Sequence, residues 1–260
     1  MMILASDYDG TFHTEKGQTA RNVEAVKKWR AAGNRFGLVT GRSFEMAEAA
    51  VQEYEIPLDF MICTNGASIF SGDRTLLAGF PMERGGLEHL MKLPSIQNSD
   101  RCFVLTGQGT FFRRRPGKLL DRIGMLRVQS VDAEEIPDLQ PVWQISAACG
   151  DLSRATACAR EINDAFPGMY SAYDNIDSVD IVAFGMNKSQ GISRYLDICR
   201  AGGEDPERVL VIGDGGNDAA MIRDFGGFTV TNGCPSAKAA AAAVFESVAE
   251  LIGIALKGGL

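Results

Sequence analysis

Apolar and polar positions follow two different rhythms along this chain. Over the first 80 residues, short apolar runs alternate with stretches of helical spacing. Residues 2–5 form a compact apolar run that suits a buried strand. Residues 19–32 carry Ala20, Val23, Val26 and Ala31 at helical spacing, and Gly33 follows as a stop. Residues 36–39 predict a second strand. Ser43 is placed to cap a helix whose inner face is Met46, Ala47, Ala50, Val51 and Tyr54. Residues 60–64 predict a third strand, and Asn65-Gly66 and Ser71-Gly72-Asp73 predict turns. The last 75 residues resume this rhythm. A helix is expected over 190–201, ending at Gly202-Gly203, then an aliphatic strand at 209–212 and a short helix from Asn217. A strand at Thr229-Val230 and a final helix opened by the capping box Ser247-Val-Ala-Glu250 complete it. Strand–helix–strand alternation of this kind predicts a parallel sheet covered on both faces.

The middle of the chain breaks the rhythm. Between residues 83 and 182 the periodicity is mixed, with strands expected at 102–105, 143–148, 169–172 and 179–182 and one clear helix over 152–166. This stretch reads as an inserted α+β domain of about 100 residues. The expected division is a discontinuous core, 1–82 and 184–260, with the insert at 83–183. The Ala-rich 237–243 aside, the sequence shows no low-complexity segment and no repeat.

Composition narrows the function classes. The 260 residues are 45% hydrophobic and 23% charged, as expected of a chain that buries a real core. Lys plus Arg is 26 and Asp plus Glu is 33, giving a formal charge of −7. That balance argues against nucleic acid as a partner, because nucleic-acid binding needs a basic face. No run reaches the roughly 18 apolar residues of a membrane span, and the first residues lack the pattern of a signal peptide. Six cysteines occur without a C-x-x-C pair, so free thiols in a reducing cytoplasm are expected. Oligomeric state is not legible.

Four segments carry candidate chemistry, and each sits where a predicted strand ends. In open parallel sheets, ligands bind at those carboxyl ends. Asp7-Tyr8-Asp9-Gly10-Thr11 follows the first strand, with two carboxylates at i and i+2 on one side of an extended chain. Mutual repulsion is expected to raise one of their pKa values, which suits a nucleophile beside a general acid. Thr40-Gly41-Arg42-Ser43 offers a hydroxyl, a turn and a helix start as an anion cradle. Lys188 stands just before the expected helix over 190–201, against the macrodipole preference for acids there. Gly213-Asp214-Gly215-Gly216-Asn217-Asp218 brackets a glycine turn with hard oxygen donors. Gathered in one site, Asp7, Asp9, Asp214 and Asp218 repel a phosphate monoester. Like charges at 4 Å cost about 4 kcal/mol at an effective dielectric near 20. Electrostatics alone therefore asks for a cation such as Mg²⁺, together with Lys188.

In this order and spacing, the segments resemble the four motifs of the haloacid dehalogenase superfamily of phosphohydrolases. The insert resembles the C2 cap of its Cof-type, or type IIB, subgroup, as does the segment Ile62-Cys-Thr-Asn65-Gly66-Ala67. The resemblance implies an α/β fold: a Rossmann-like parallel sheet with an inserted α+β cap. It implies a Mg²⁺-dependent phosphatase acting on a small phosphorylated metabolite, a sugar phosphate in many members, through an aspartyl-phosphate. Asp7 would be the nucleophile and Asp9 the acid and base. Thr40, Lys188 and Asn217 would hold the phosphoryl group, with Gly10, Thr11, Gly41, Arg42 and Asn65 around it. Asp7, Asp9 (through its carbonyl), Asp214 and Asp218 would hold the metal, Asp218 from an outer shell. The alternatives are a phosphomutase and a non-catalytic sugar-phosphate sensor. One departure is Ser189, where the family often has Gly.

His13, one of two histidines, is expected to be a mobile surface side chain, with sensing or contacting substrate as the alternative. Arg113, Arg114 and Arg115, with Lys118, Arg122 and Arg127, form the sharpest basic cluster. It is expected to be a solvated strand edge, with attraction of a second anionic group as the alternative.

Overall fold

The computed structural model describes residues 1–113, 122–123 and 126–260. Arg114, Arg115 and Lys118 lie outside the described residues. The described chain divides into two compact units. One comprises residues 1–40, 47–78 and 187–260; the other comprises 41–46 and 79–186.

The first unit is built on a sheet in the order Ala243–Phe245, Phe228–Val230, Arg208–Gly213, Met2–Ser6, Arg35–Val39, Phe60–Cys63, Ser68–Ser71, Leu76–Gly79. The first six strands run parallel, and Ser68–Ser71 turns back antiparallel. Ile3, Leu4 and Ala5 are wholly buried, as a central parallel strand requires. Helix Lys16–Ala31 and helix Val248–Ala255 pack together, and Ser247 caps the latter by accepting from the Glu250 amide. The Met46 amide likewise donates to the Ser43 hydroxyl at the start of helix Phe44–Tyr54. The expected strands and helices of this unit are present, which establishes the α/β class. Strand Ala243–Phe245, which starts at the last residue of the Ala-rich stretch, is additional.

The second unit holds a sheet in the order Gln129–Val131, Gly109–Arg113, Arg101–Thr106, Val142–Ala148, Ser178–Ala183, Tyr170–Asn175. It is antiparallel except at Gln129–Val131. One face packs on helices Arg84–Met91 and Leu152–Ala165 through Leu87, Leu90, Cys158 and Ile162. Helix Arg84–Met91 escapes the sequence reading because Gly85 and Gly86 lower its propensity. Packing selects Gly86 there: a Cβ would stand 2.3 Å from the Met169 sulfur.

Arg113 has a structural post in this unit. It is 4% exposed, and its guanidinium donates to the Ile96 carbonyl at 2.7 Å, the Gln97 carbonyl at 3.3 Å and the Ser99 hydroxyl at 3.2 Å. The carbonyls at the end of helix Pro94–Gln97 hold it. A solvated edge is therefore the wrong description of Arg113.

Candidate active site

The candidate site is assembled at the carboxyl ends of the parallel strands of the first unit. Strand Met2–Ser6 ends where the Asp7 amide donates to the Ile212 carbonyl of the neighbouring strand at 2.9 Å. That bond sets the first acidic loop beside the one following Arg208–Gly213. Gly10, at φ +83°, makes the approach possible, since a Cβ there would lie 2.4 Å from an Asp214 carboxylate oxygen. The Thr11 hydroxyl donates to Asp214 Oδ1 at 2.5 Å and closes the contact.

Lys188 is the first residue of helix Lys188–Ala201, so the helix starts earlier than expected. Asn187 caps it by accepting from the Gln190 amide. The lysine is 2% exposed and donates to Asp7 Oδ1 and to Asp218 Oδ1, each at 2.6 Å. Asp218 is itself 1% exposed. Its second oxygen accepts from the amides of Asp214 at 3.0 Å and Gly215 at 2.8 Å. It thus ties Lys188 to the turn that presents Asp214. Ser189 explains the departure at that position: its hydroxyl donates to Asp224 Oδ2 at 2.7 Å and fastens the lysine helix to helix Ala219–Asp224.

Asp7, Asp214 and Asp218 each offer an oxygen within 4.8 Å of the others. Burial pushes the Asp7 carboxyl well above its ordinary range. Lys188 opposes this, and the Asp218 and Asp214 charges add to it. Asp214 is raised too, first by burial, while the Thr11 bond pulls the other way. For Lys188, burial favours the neutral amine, but Asp218 and Asp7 outweigh it and hold the ammonium charged. The expected pKa shift is present at Asp7, but its cause is burial with Asp218 and Asp214 rather than Asp9. Three carboxylates against one ammonium leave two negative charges uncompensated when all ionise. An all-oxygen donor set with that excess fits a hard divalent cation such as Mg²⁺.

The remaining residues fall into place around this cluster or apart from it. Asp9 is exposed, and its backbone bridges to His13. The buried Thr40 ends strand Arg35–Val39; its amide donates to the Ile62 carbonyl at 2.8 Å and its carbonyl accepts from the Asn65 amide at 3.0 Å. Asn217 Nδ2 donates to Asn65 Oδ1 at 3.1 Å. Thr64 and Asn65 both adopt φ near +50°, a conformation that a β-branched residue rarely takes and that functional loops often store. The expected turn at Asn65-Gly66 is thus also what brings the two asparagines together. Gly41 and Arg42 belong by their contacts to the second unit, where the Gly41 carbonyl accepts from Gln144 Nε2 at 3.3 Å. Sequence reasoning missed Asn22, whose Nδ2 donates to the Phe12 carbonyl at 2.8 Å and braces the acidic loop from inside a helix.

A doubly wound sheet with acids and a buried lysine at its strand ends defines an α/β enzyme core. The chain belongs to the haloacid dehalogenase-like hydrolases, whose family model matches residues 4–257. It is 22% identical to 5-amino-6-(5-phospho-D-ribitylamino)uracil phosphatase YbjI of Escherichia coli K12 over 254 residues, 92% of this chain and 88% of that one. The solved structure of the subclass IIB sugar phosphatase BT4131 matches with a TM-score of 0.78 at 20% identity, covering 100% of both chains. BT1666 from Bacteroides thetaiotaomicron, described among phosphatases of the superfamily, matches with a TM-score of 0.78 at 22% identity, over 100% of this chain and 96% of that one. These structural likenesses establish the fold. Among the described residues, no helix is long and apolar enough to cross a membrane.

Proposed function

We propose that this chain is a Mg²⁺-dependent phosphatase that hydrolyses a small phosphorylated metabolite, a sugar phosphate by class, through an aspartyl-phosphate. The observation that carries the reading is Lys188 bridging Asp7 and Asp218 beside Asp214, in a chain of a hydrolase family whose relatives include named phosphatases.

Asp7 attacks phosphorus with one carboxylate oxygen, and the bond from phosphorus to the alcohol oxygen breaks. Asp9, at the solvent-facing side of the loop, gives its proton to that oxygen. It then takes a proton from a water that attacks the phosphoryl group and frees Asp7. Lys188 neutralises charge on the transferring oxygens, and Thr40, Asn217 and Asn65 donate to them, with Gly10 and Thr11 shaping the cradle. The carboxylates of Asp7 and Asp214 and the carbonyl of Asp9 would hold Mg²⁺, with Asp218 orienting the set. Bound there, the ion would supply Lewis-acid polarisation of a phosphoryl oxygen and would offset the excess negative charge. Six free thiols, five of them buried, suit the reducing cytoplasm expected from the sequence.

Phosphate release from p-nitrophenyl phosphate, measured with and without Mg²⁺ for the parent and Asp7→Asn, tests the reading. Metal-dependent release is expected from the parent and none from the variant. Release by Asp7→Asn would remove the nucleophile from the scheme.

A further inference from the structure

The acidic loop is held by a device that the proposed chemistry does not assign. Asp9 is exposed, so burial does not fix where its carboxyl points. Its two flanking peptide units are both bonded to one residue. The carbonyl of Tyr8, on the N-terminal side of Asp9, accepts from the His13 amide at 2.7 Å. The amide of Gly10, on the other side, donates to the His13 carbonyl at 2.9 Å. The backbone of His13 thus clamps Asp9 from both sides.

His13 is itself fixed through its ring. The imidazole stacks on Tyr8 with centroids 5.3 Å apart and planes within 5°. Tyr54 of helix Phe44–Tyr54 leans on it at 5.1 Å and 49°. Nδ1 lies 2.9 Å from the Thr19 hydroxyl in the first turn of helix Lys16–Ala31. That hydroxyl donates its own proton to the Glu15 carbonyl at 2.9 Å. Thr19 therefore receives from the imidazole, which assigns the proton to Nδ1. Thr19 is wholly buried, so the anchor point is rigid. Half-buried between two tyrosines and a buried threonine, His13 is not the mobile surface histidine expected from the sequence.

We propose that His13 is a positioning residue for Asp9: its ring anchors the loop to the first helix, and its main chain sets the direction of the acid. This rests on the role proposed above for Asp9. The decisive group is the Nδ1–H donor, so the side chains that keep or lose it separate positioning from simple packing. Asparagine places an N–H donor close to the Nδ1 position, whereas glutamine places its amide nearer to Nε2.

The experiment compares His13→Asn, His13→Gln, His13→Ala and Thr19→Val. His13→Ala, His13→Gln and Thr19→Val are expected to lose about tenfold in kcat for p-nitrophenyl phosphate with KM little changed, the pattern of a misplaced acid. His13→Asn is expected to stay within about twofold of the parent. Combining His13→Ala with Thr19→Val should cost no more than either alone, because both break one contact. Amide exchange of the peptide over residues 7–14 supplies a readout that needs no activity. It should quicken in the three weak variants and remain slow in His13→Asn. Equal kcat in all variants, or parallel losses in His13→Asn and His13→Gln, would overturn the proposal. A parent without phosphatase activity would instead fell the proposed function, and the exchange rates alone would then decide whether His13 clamps the loop.

Discussion

Among the described residues, each unit buries one strong cation, and the two are held in opposite ways. Lys188 meets two carboxylates at 2.6 Å, with a third close by. Arg113 meets two main-chain carbonyls and a hydroxyl. Neutral acceptors at a helix end suffice to satisfy a guanidinium and to terminate the helix, and the result is a local staple. Buried carboxylates crowded around one ammonium remain in electrostatic conflict, which folding alone does not need. Net anionic crowding marks the first place as chemical, and balanced hydrogen bonding marks the second as architectural.

Replacing each cation by Met, which keeps much of the apolar stem, separates the two roles most sharply. Lys188→Met removes the donor shared by Asp7 and Asp218 and should lower phosphate-release kcat by about 10²–10³-fold, the usual effect of deleting a preorganised electrostatic group. Steady-state kinetics at saturating Mg²⁺ checks this. Arg113→Met should leave kcat unchanged and cost about 3 kcal/mol of stability, because it strands buried carbonyls that had a charged donor. Urea unfolding with an unchanged slope would show it. If Arg113→Met lowered kcat while stability held, the architectural assignment would fall.

The next test probes the conflict at Asp7 and Asp214. Both carboxyls are raised above the ordinary value of 3.8. A raised carboxyl binds its proton more tightly in the folded state. Its contribution to stability is fully present below the unfolded value and is lost as pH rises through the folded one. The metal-free protein thus loses this contribution as pH rises through the raised folded-state values, where the carboxylates ionise and repel. Mg²⁺ must displace those protons, so its stabilisation should grow with pH. At a hundredfold excess over Kd it should reach about 2.7 kcal/mol near neutral pH and shrink towards pH 5. Thermal unfolding with Mg²⁺ or EDTA across this range reads the effect. The difference should vanish in Asp214→Asn and persist in Arg113→Met.

The contrast also explains what was legible beforehand. The carboxylates could be read because they follow predicted strands, and Lys188 because like charges at those ends demand a counter-charge. Helix Lys188–Ala201 begins two residues before the expected range, at a lysine, because Asn187 supplies the cap. Bonds that depend on which side chains meet across the sheet were not legible. Asn22 sits within a helix pattern, Ser189 looks like a loss of glycine, and Thr64 gives no sign of its left-handed backbone. In the second unit four strands were readable from their apolar runs, whereas Gly109–Arg113 and Gln129–Val131 were not. Nor was the role of Arg113, since a sequence cannot show that three acceptors converge on one member of a basic run.

Ser189 provides the finest test of the comparison, because it adjoins the chemical cation but makes an architectural bond. Its hydroxyl is almost wholly buried and donates to Asp224, joining the two helices that present Lys188 and the Asp214 turn. Ser189→Ala should cost about 1 kcal/mol, the ordinary worth of one hydrogen bond. If the bond only joins helices, kcat should remain within about twofold of the parent. If it also sets the height of the Lys188 amine between Asp7 and Asp218, kcat should fall several-fold while KM holds, since the lysine acts on charge developed in the transition state. Helix capping at Asn187 already fixes the first turn, and two short bonds fix the amine itself. The expectation is therefore the smaller loss: a measurable drop in unfolding midpoint with catalysis nearly intact. A drop in kcat beyond about tenfold would show that the staple and the charge network are one system.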